Sequence, residues 1–425
     1  MHIKLFPACV LLGFLICCSA VHAQEQTVPG LGNSSAAELA RKSPAVQSAY
    51  HFLLAQIKKV GDQRLARETR DAIENQQTCI RHRAGVKQED KQRILQNLVK
   101  AGLAEVQDQT SFPGGLMAGV FPPVLDDGSS CPHLPQPFIA APGSEFGGHH
   151  SYPGGLPIHE AKNEMAAVNL AHDYRTLYGR SPLKAKGTTL SQVFIDQDVI
   201  IAAPIWHDWA KAIVFQWNGD GSEFQELGFG GNGTTDNNGN AGNSKTGAHH
   251  ILGLAETMKR GLSPVLVIAQ ASAHAAPTLG NEFKVVNWLH AAAIIAQIDP
   301  VEKGYLIADK HGRLRLPPLR KLNSIDLLNA DPSQTNVLAE YTIHNLSDAD
   351  STLSVASVKI VQIILQELAP SFGFDPADTA RYNTGFRNPV LSFLTAERLF
   401  LIYSNKGLEG VSRELQGLRA QKILR

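Results

Sequence analysis

The stretch Ile200-Ile-Ala-Ala-Pro-Ile-Trp-His-Asp-Trp-Ala-Lys211 ends an apolar run in an adjacent His207 and Asp208, and places Lys211 one helical turn later. Imidazole and carboxylate are both ligands for divalent metals. An apolar run leading into them predicts a buried helix that holds the pair rigidly. Two adjacent residues match by chance often, so the pair gains meaning from its neighbours. Working outward, His159 precedes it, and His249, His250, His274 and His290 follow.

Each of these lies at the edge of a segment with helical spacing. His159 falls in the first turn of the pattern from Leu156. His250 opens His-Ile-Leu-Gly-Leu-Ala after a Gly/Asn-rich stretch, with His249 the alternative. His274 ends the run from Val265, and Asp299 ends the run from Trp288. Successive helices that each offer a ligand can aim them into a shared centre, as helix bundles do. A second place for a distal carboxylate is His344-Asn-Leu-Ser-Asp348-Ala-Asp350. His172-Asp173 is a decoy. It lies 13 and 14 residues beyond His159 on the same expected helix, roughly 20 Å away at the α-helical rise. His290, Trp206 and Trp209 read best as packing residues.

The flanks complete a mostly α-helical chain of 425 residues. Residues 1–23 read as a secretory signal peptide, with Lys4, an apolar core and Val21-His22-Ala23 at the cleavage positions. The protein is therefore expected to be periplasmic or secreted. The region 24–110 is helical, with Ser43-Pro44 opening one helix and Asp90 capping another that stops at Gly102. Residues 111–155 are a Pro/Gly-rich connection, 156–300 hold the candidate ligands, and 301–425 are mainly helical. Thr352–Leu368 and Ala396–Tyr403 are the clearest helices of that last region, and Leu314-Arg-Leu-Pro-Pro reads as extended. The Gly/Asn stretch 228–247 reads as a loop between two ligand helices, either a lid or a surface insertion.

Composition narrows the function classes. Lys plus Arg and Asp plus Glu both number 39, so the formal charge is zero. No basic stripe with interleaved aromatics marks a nucleic-acid partner, and no apolar stretch after the signal reads as a membrane span. Of five cysteines, only Cys79 and Cys131 lie outside the signal, which in an oxidising compartment reads as one disulfide.

Taken together, the pattern resembles the HD superfamily of metal-dependent phosphohydrolases. The resemblance runs roughly from His149 to Asp299. His149-His-Ser-Tyr-Pro-Gly-Gly-Leu-Pro-Ile-His-Glu160 is similar to the segment that opens the HD domain of certain bacterial 3′→5′ exoribonucleases. His207-Asp-Trp-Ala-Lys211 is similar to the family's His-Asp-x-Gly-Lys core, with Ala210 in place of glycine. Pro204 departs from the family's smooth apolar run. The resemblance implies an HD-like helical bundle binding one or two divalent ions (Mn, Fe, Zn, Mg or Co). His159, His207, Asp208 and a distal aspartate, Asp299 or its rivals Asp348 and Asp350, would hold one ion. Asp208 would bridge to another held by His250 and His274. Lys211 and His150 would act on a small phosphate ester. An HD-fold di-iron oxygenase, like myo-inositol oxygenase, and an inactive binding or scaffold protein are the rival expectations.

Overall fold

A computed structural model describes residues 29–125, 130–179, 193–231, 243–278, 280–317 and 338–424. The signal segment, the centre of the Gly/Asn loop at 232–242 and the Asp350 side chain lie outside the described residues.

The chain is mostly helical. The N-terminal layer comprises α1 (Asn33–Lys42), α2 (Pro44–Ile57), α3 (Gln63–Glu74) and α4 (Gln88–Lys100). Local chemistry sets these boundaries. The Ser43 hydroxyl accepts from Val46 N–H at 3.2 Å to open α2, with Pro44 at its first position. Asp90, in the first turn of α4, accepts from Lys87 N–H at 3.1 Å.

The central bundle is α5 (Gly155–Tyr178), α6 (Gln197–His207), α7 (Ala248–Lys259), α8 (Pro264–Ala271), α9 (Glu282–Ala296) and α10 (Ala339–Ser347). Here α6 packs on α5, α8 and α10, and α7 packs on α9. A single apolar core runs from Leu53 and Ile57 of α2 through Ile201 and Ile205 of α6 to Leu289 of α9. It also takes in Leu116, Val120, Phe121 and Phe138 of the Pro/Gly-rich connection. The N-terminal layer, the connection and the ligand-bearing helices thus form one packed body rather than separate units.

A second apolar cluster belongs to the C-terminal helices α11 (Ser351–Leu368), α12 (Asn388–Leu394) and α13 (Ala396–Ala420). The last helix runs well past the expected Tyr403 and is interrupted at Gly407, whose φ is 62°. Tyr152, beside the His149-His150 pair, is buried in this cluster. Among the described residues, strands are two short antiparallel pairs, Gly228–Phe229 with Thr246–Gly247 and Ile307–Ala308 with Leu314–Arg315. The first closes the base of the Gly/Asn loop.

A buried polar network braces α7. Glu256 accepts from His82 Nδ1 at 2.8 Å and Arg260 Nε at 2.7 Å. Arg260 also reaches Glu68, Thr78 and the Cys79 carbonyl. Its guanidinium lies 5.3 Å from the centre of the Trp206 ring and 5.9 Å from that of Trp209. Both indoles are buried and donate into α3, to Thr69 Oγ1 and the Ala72 carbonyl. Cys79 and Cys131 are joined as a disulfide, with Cα atoms 5.2 Å apart. By length and composition, 339–372 could cross a membrane. Its first helix, α10, instead packs against α5, α6 and α8 with Glu340 and His344 buried.

Candidate metal centre

The site forms where helix ends meet. His159 begins the second turn of α5, and His249 and His250 lie in the first turn of α7. His207 and Asp208 end α6, His274 follows α8, and Asp348 follows α10. Helix starts and helix ends therefore converge at one end of the bundle.

Asp208 is the hub. Its Oδ2 lies 3.2 Å from both His159 Nε2 and His207 Nε2, and also meets the Lys211 ammonium. Its Oδ1 lies 3.1 Å from His249 Nε2. Asp348 Oδ1 faces the same two histidines, 3.1 Å from His159 Nε2 and 3.3 Å from His207 Nε2. Ligand atoms of His159, His207 and Asp348 fall within 4.8 Å of one another, and so do those of Asp208, His249 and His274. His159, His207 and Asp208 are buried, whereas His274 is exposed and marks the mouth.

Outer contacts fix how the rings point. His207 Nδ1 donates to the Pro204 carbonyl at 2.7 Å, with Glu160 Oε2 also 3.3 Å away. That leaves Nε2 facing the carboxylates. Pro204, an apparent interruption in the sequence, sits inside α6 and supplies this acceptor. Glu226 does the same for His249, accepting from its Nδ1 at 2.7 Å and its backbone N–H at 3.2 Å. His344, one turn before Asp348, donates from Nδ1 to the Ala269 carbonyl at 2.6 Å, and its ring centre is 5.1 Å from that of His207. Such second contacts set the tautomer of metal-binding imidazoles.

The electrostatics are those of anions crowded by cations. Burial alone would raise Asp208 and lower His207. Their mutual attraction overrides burial, with Lys211 adding to it at Asp208, and with Glu160 and Asp348 at His207. Asp208 is held well below the carboxylate range and His207 well above the imidazole range. His159 is likewise lowered by burial but lifted by Asp208 and Asp348, to about 9. Asp348 is held well below its ordinary value, burial being outweighed by His207 and His159.

The donor set fits divalent cations. His159 Nε2, His207 Nε2, His249 Nε2 and Asp208 Oδ1 are buried without a hydrogen-bond partner among the described residues. Their close approaches lack hydrogen-bond geometry. Buried polar atoms are rarely left so, and such atoms gathered on both sides of Asp208 suit coordinated ions.

Two expected ligands, Asp299 and His250, do not lie against Asp208. Asp299 is exposed and accepts from Val301 and Glu302 N–H groups in a turn, so it is not part of the cluster. Asp348 takes that place. His250 is buried, stacked on His274 with centroids 4.1 Å apart and edge-on to Trp288. Its neighbour His249 faces Asp208. Lys211 is buried, bound to Asp208 and the Gly143 carbonyl. His150 lies beside His159 with centroids 5.5 Å apart. His290 is half-buried on α9, and His172 and Asp173 are exposed on α5.

Glu226, Glu160 and the role of His344 were not read from the sequence. Glu226 sits in irregular chain with no periodic pattern to mark it. The one available signal was His344 and Asp348 at an i, i+4 spacing, which puts both on one helix face.

No family model, curated protein or solved structure matches this chain.

Proposed function

We propose that this chain is an exported metal-dependent phosphohydrolase of the HD type, acting on a small phosphate ester. One observation carries the reading. The two oxygens of Asp208 face different histidine sets, His159 and His207 on one side and His249 on the other. A carboxylate so placed can bridge two cations. His159, His207, Asp208 and Asp348 would hold one, and Asp208, His249 and His274 the other. Bound divalent ions supply Lewis-acid polarisation of a phosphoryl oxygen and make water nucleophilic at neutral pH.

The protein groups have separate tasks. Glu226 and the Pro204 carbonyl orient His249 and His207. Lys211 offsets the Asp208 charge, and its ammonium would also offset charge on a phosphate bound beside Asp208. The exposed His274 edge is the side on which a small ester would enter. The Cys79–Cys131 bond supports an oxidising compartment, and the zero formal charge favours a small ester over a long polyanion.

The test is hydrolysis of p-nitrophenyl phosphate and bis(p-nitrophenyl) phosphate by the metal-loaded protein. Turnover with manganese that falls to background with chelator and in D208N is expected. Activity that persists in D208N overturns the reading. Oxygen consumption by an iron-loaded protein that hydrolyses neither ester would replace it with the oxygenase.

A further inference from the structure

A second histidine cluster shares His159 with the first. His149, His150 and His159 each offer a nitrogen, and all three nitrogens lie within 4.8 Å of one another. The rings of His149 and His159 are 4.6 Å apart at their centroids. Neither nitrogen of His159, nor Nδ1 of His149, has a hydrogen-bond partner among the described residues. A site that used only one face of His159 would leave its other nitrogen unexplained.

The backbone around His150 is built to aim it. Its φ is +51°, in the left-handed region that non-glycine residues seldom adopt. Two glycines make room. A Cβ on Gly155 would lie 1.8 Å from the His150 carbonyl oxygen, and one on Gly143 would lie 2.6 Å from the His150 Cβ. Such local strain persists only where the surroundings enforce it, and it gathers at functional sites.

The C-terminal helices then set the His150 tautomer. Ser354 of α11 donates its one hydroxyl proton to Glu397 Oε1. It must therefore accept from His150 Nδ1, 3.1 Å away. His150 Nε2 lies 3.4 Å from Glu397 Oε1. A proton on Nε2 or a metal ion bound there meets that approach. Tyr152 steadies the other Glu397 oxygen at 3.4 Å.

We propose that His149, His150 and His159, backed by Glu397, form an additional site for a borderline-soft divalent ion such as zinc. Three imidazoles suit that ion, with Glu397 behind His150 rather than in the ligand set. To serve both sites His159 would release its ring protons to solvent and bind as an imidazolate, one nitrogen to each ion, and this role rests on its reading as a ligand of the main centre. The C-terminal helices are then part of the metal assembly.

The experiment is equilibrium dialysis of the whole protein against zinc alone, with metal per chain counted by mass spectrometry and folding checked by circular dichroism. H149A/H150A is expected to hold one equivalent fewer than the parent. H249A/H274A, which touches only the main centre, is expected to keep the equivalent that H149A/H150A loses. Equal zinc in the parent and H149A/H150A overturns the inference and leaves the main centre standing; a proton then bridges His150 and Glu397. Zinc lost from H149A/H150A but wholly kept by H249A/H274A sustains the inference and overturns the dinuclear reading. A parent that binds no zinc overturns both. Should H149A/H150A fail to fold, H149A and E397Q are measured instead. A tenfold or greater weakening of one equivalent is expected, and unchanged affinity in both variants overturns the proposal.

Discussion

Asp208 acts through its two oxygens, and the residues that complete its surroundings can be tested singly. Asp348 and Asp299 compete for one role, and it is Asp348 that lies beside the histidines, 3.1 Å from His159 Nε2. D348N should lose one metal equivalent by elemental analysis, while D299N should match the parent because its carboxylate only caps an exposed turn. The reverse pattern would return the ligand to Asp299. Glu226 holds the His249 ring, so E226A should keep the fold and weaken metal binding by about 10- to 100-fold, the usual cost of losing an orienting carboxylate. A titration with an unchanged dissociation constant would remove Glu226 from the centre. At this scale His207 and Asp208 were legible because they end an apolar run. His249 and His250 could not be separated. Adjacent helical residues point about 100° apart, and only the packed orientation of α7 says which faces Asp208.

Helices were the most legible elements, since apolar spacing and caps such as Ser43 are local signals. Two element-scale features were not. Pro204 reads as a defect because the sequence shows the lost N–H but not the carbonyl that accepts from His207. The choice between α9 and α10 as carrier of the distal aspartate is equally hidden. Both are apolar helices with an aspartate near the end, and only the packing of α10 on α5 and α6 decides. Helix α7 also carries a testable anchor. Burial alone would raise Glu256, but His82 and Arg260 hold it down at about 2, from an ordinary 4.5. A carboxylate with a depressed folded-state pKa stabilises above its unfolded value and loses that contribution as pH falls through the folded one. The parent should therefore lose stability between pH 4.5 and 2, and E256Q should lose the share of that slope that Glu256 supplies, Asp208 and Asp348 supplying more. Arg260 keeps Glu68 but loses one charged hydrogen bond, so E256Q should also be less stable at pH 7 by about 2 kcal/mol. Denaturant melts across this range check both; parallel curves for parent and variant would contradict the assignment.

On the scale of the whole molecule, the mostly helical class followed from periodicity, whereas the packing of the Pro/Gly-rich connection did not. The Pro/Gly-rich connection looks like a linker because it breaks every regular pattern. It nevertheless buries Leu116, Phe121 and Phe138 in the same core as α2 and α9. It also delivers Gly143, His149 and His150 to the site. Irregular chain has no period to reveal an inward face, so this role appears only in three dimensions. The resulting molecule gathers ligands from five helix ends and the connection at one end of the bundle, and the account stands on Asp208 linking two of their sets. Electron paramagnetic resonance of the manganese-loaded protein tests that linkage most directly. An exchange-coupled signal from paired ions, replaced in D208N by the lines of isolated manganese, is the expected result. Isolated lines alone in the parent at full loading would contradict it.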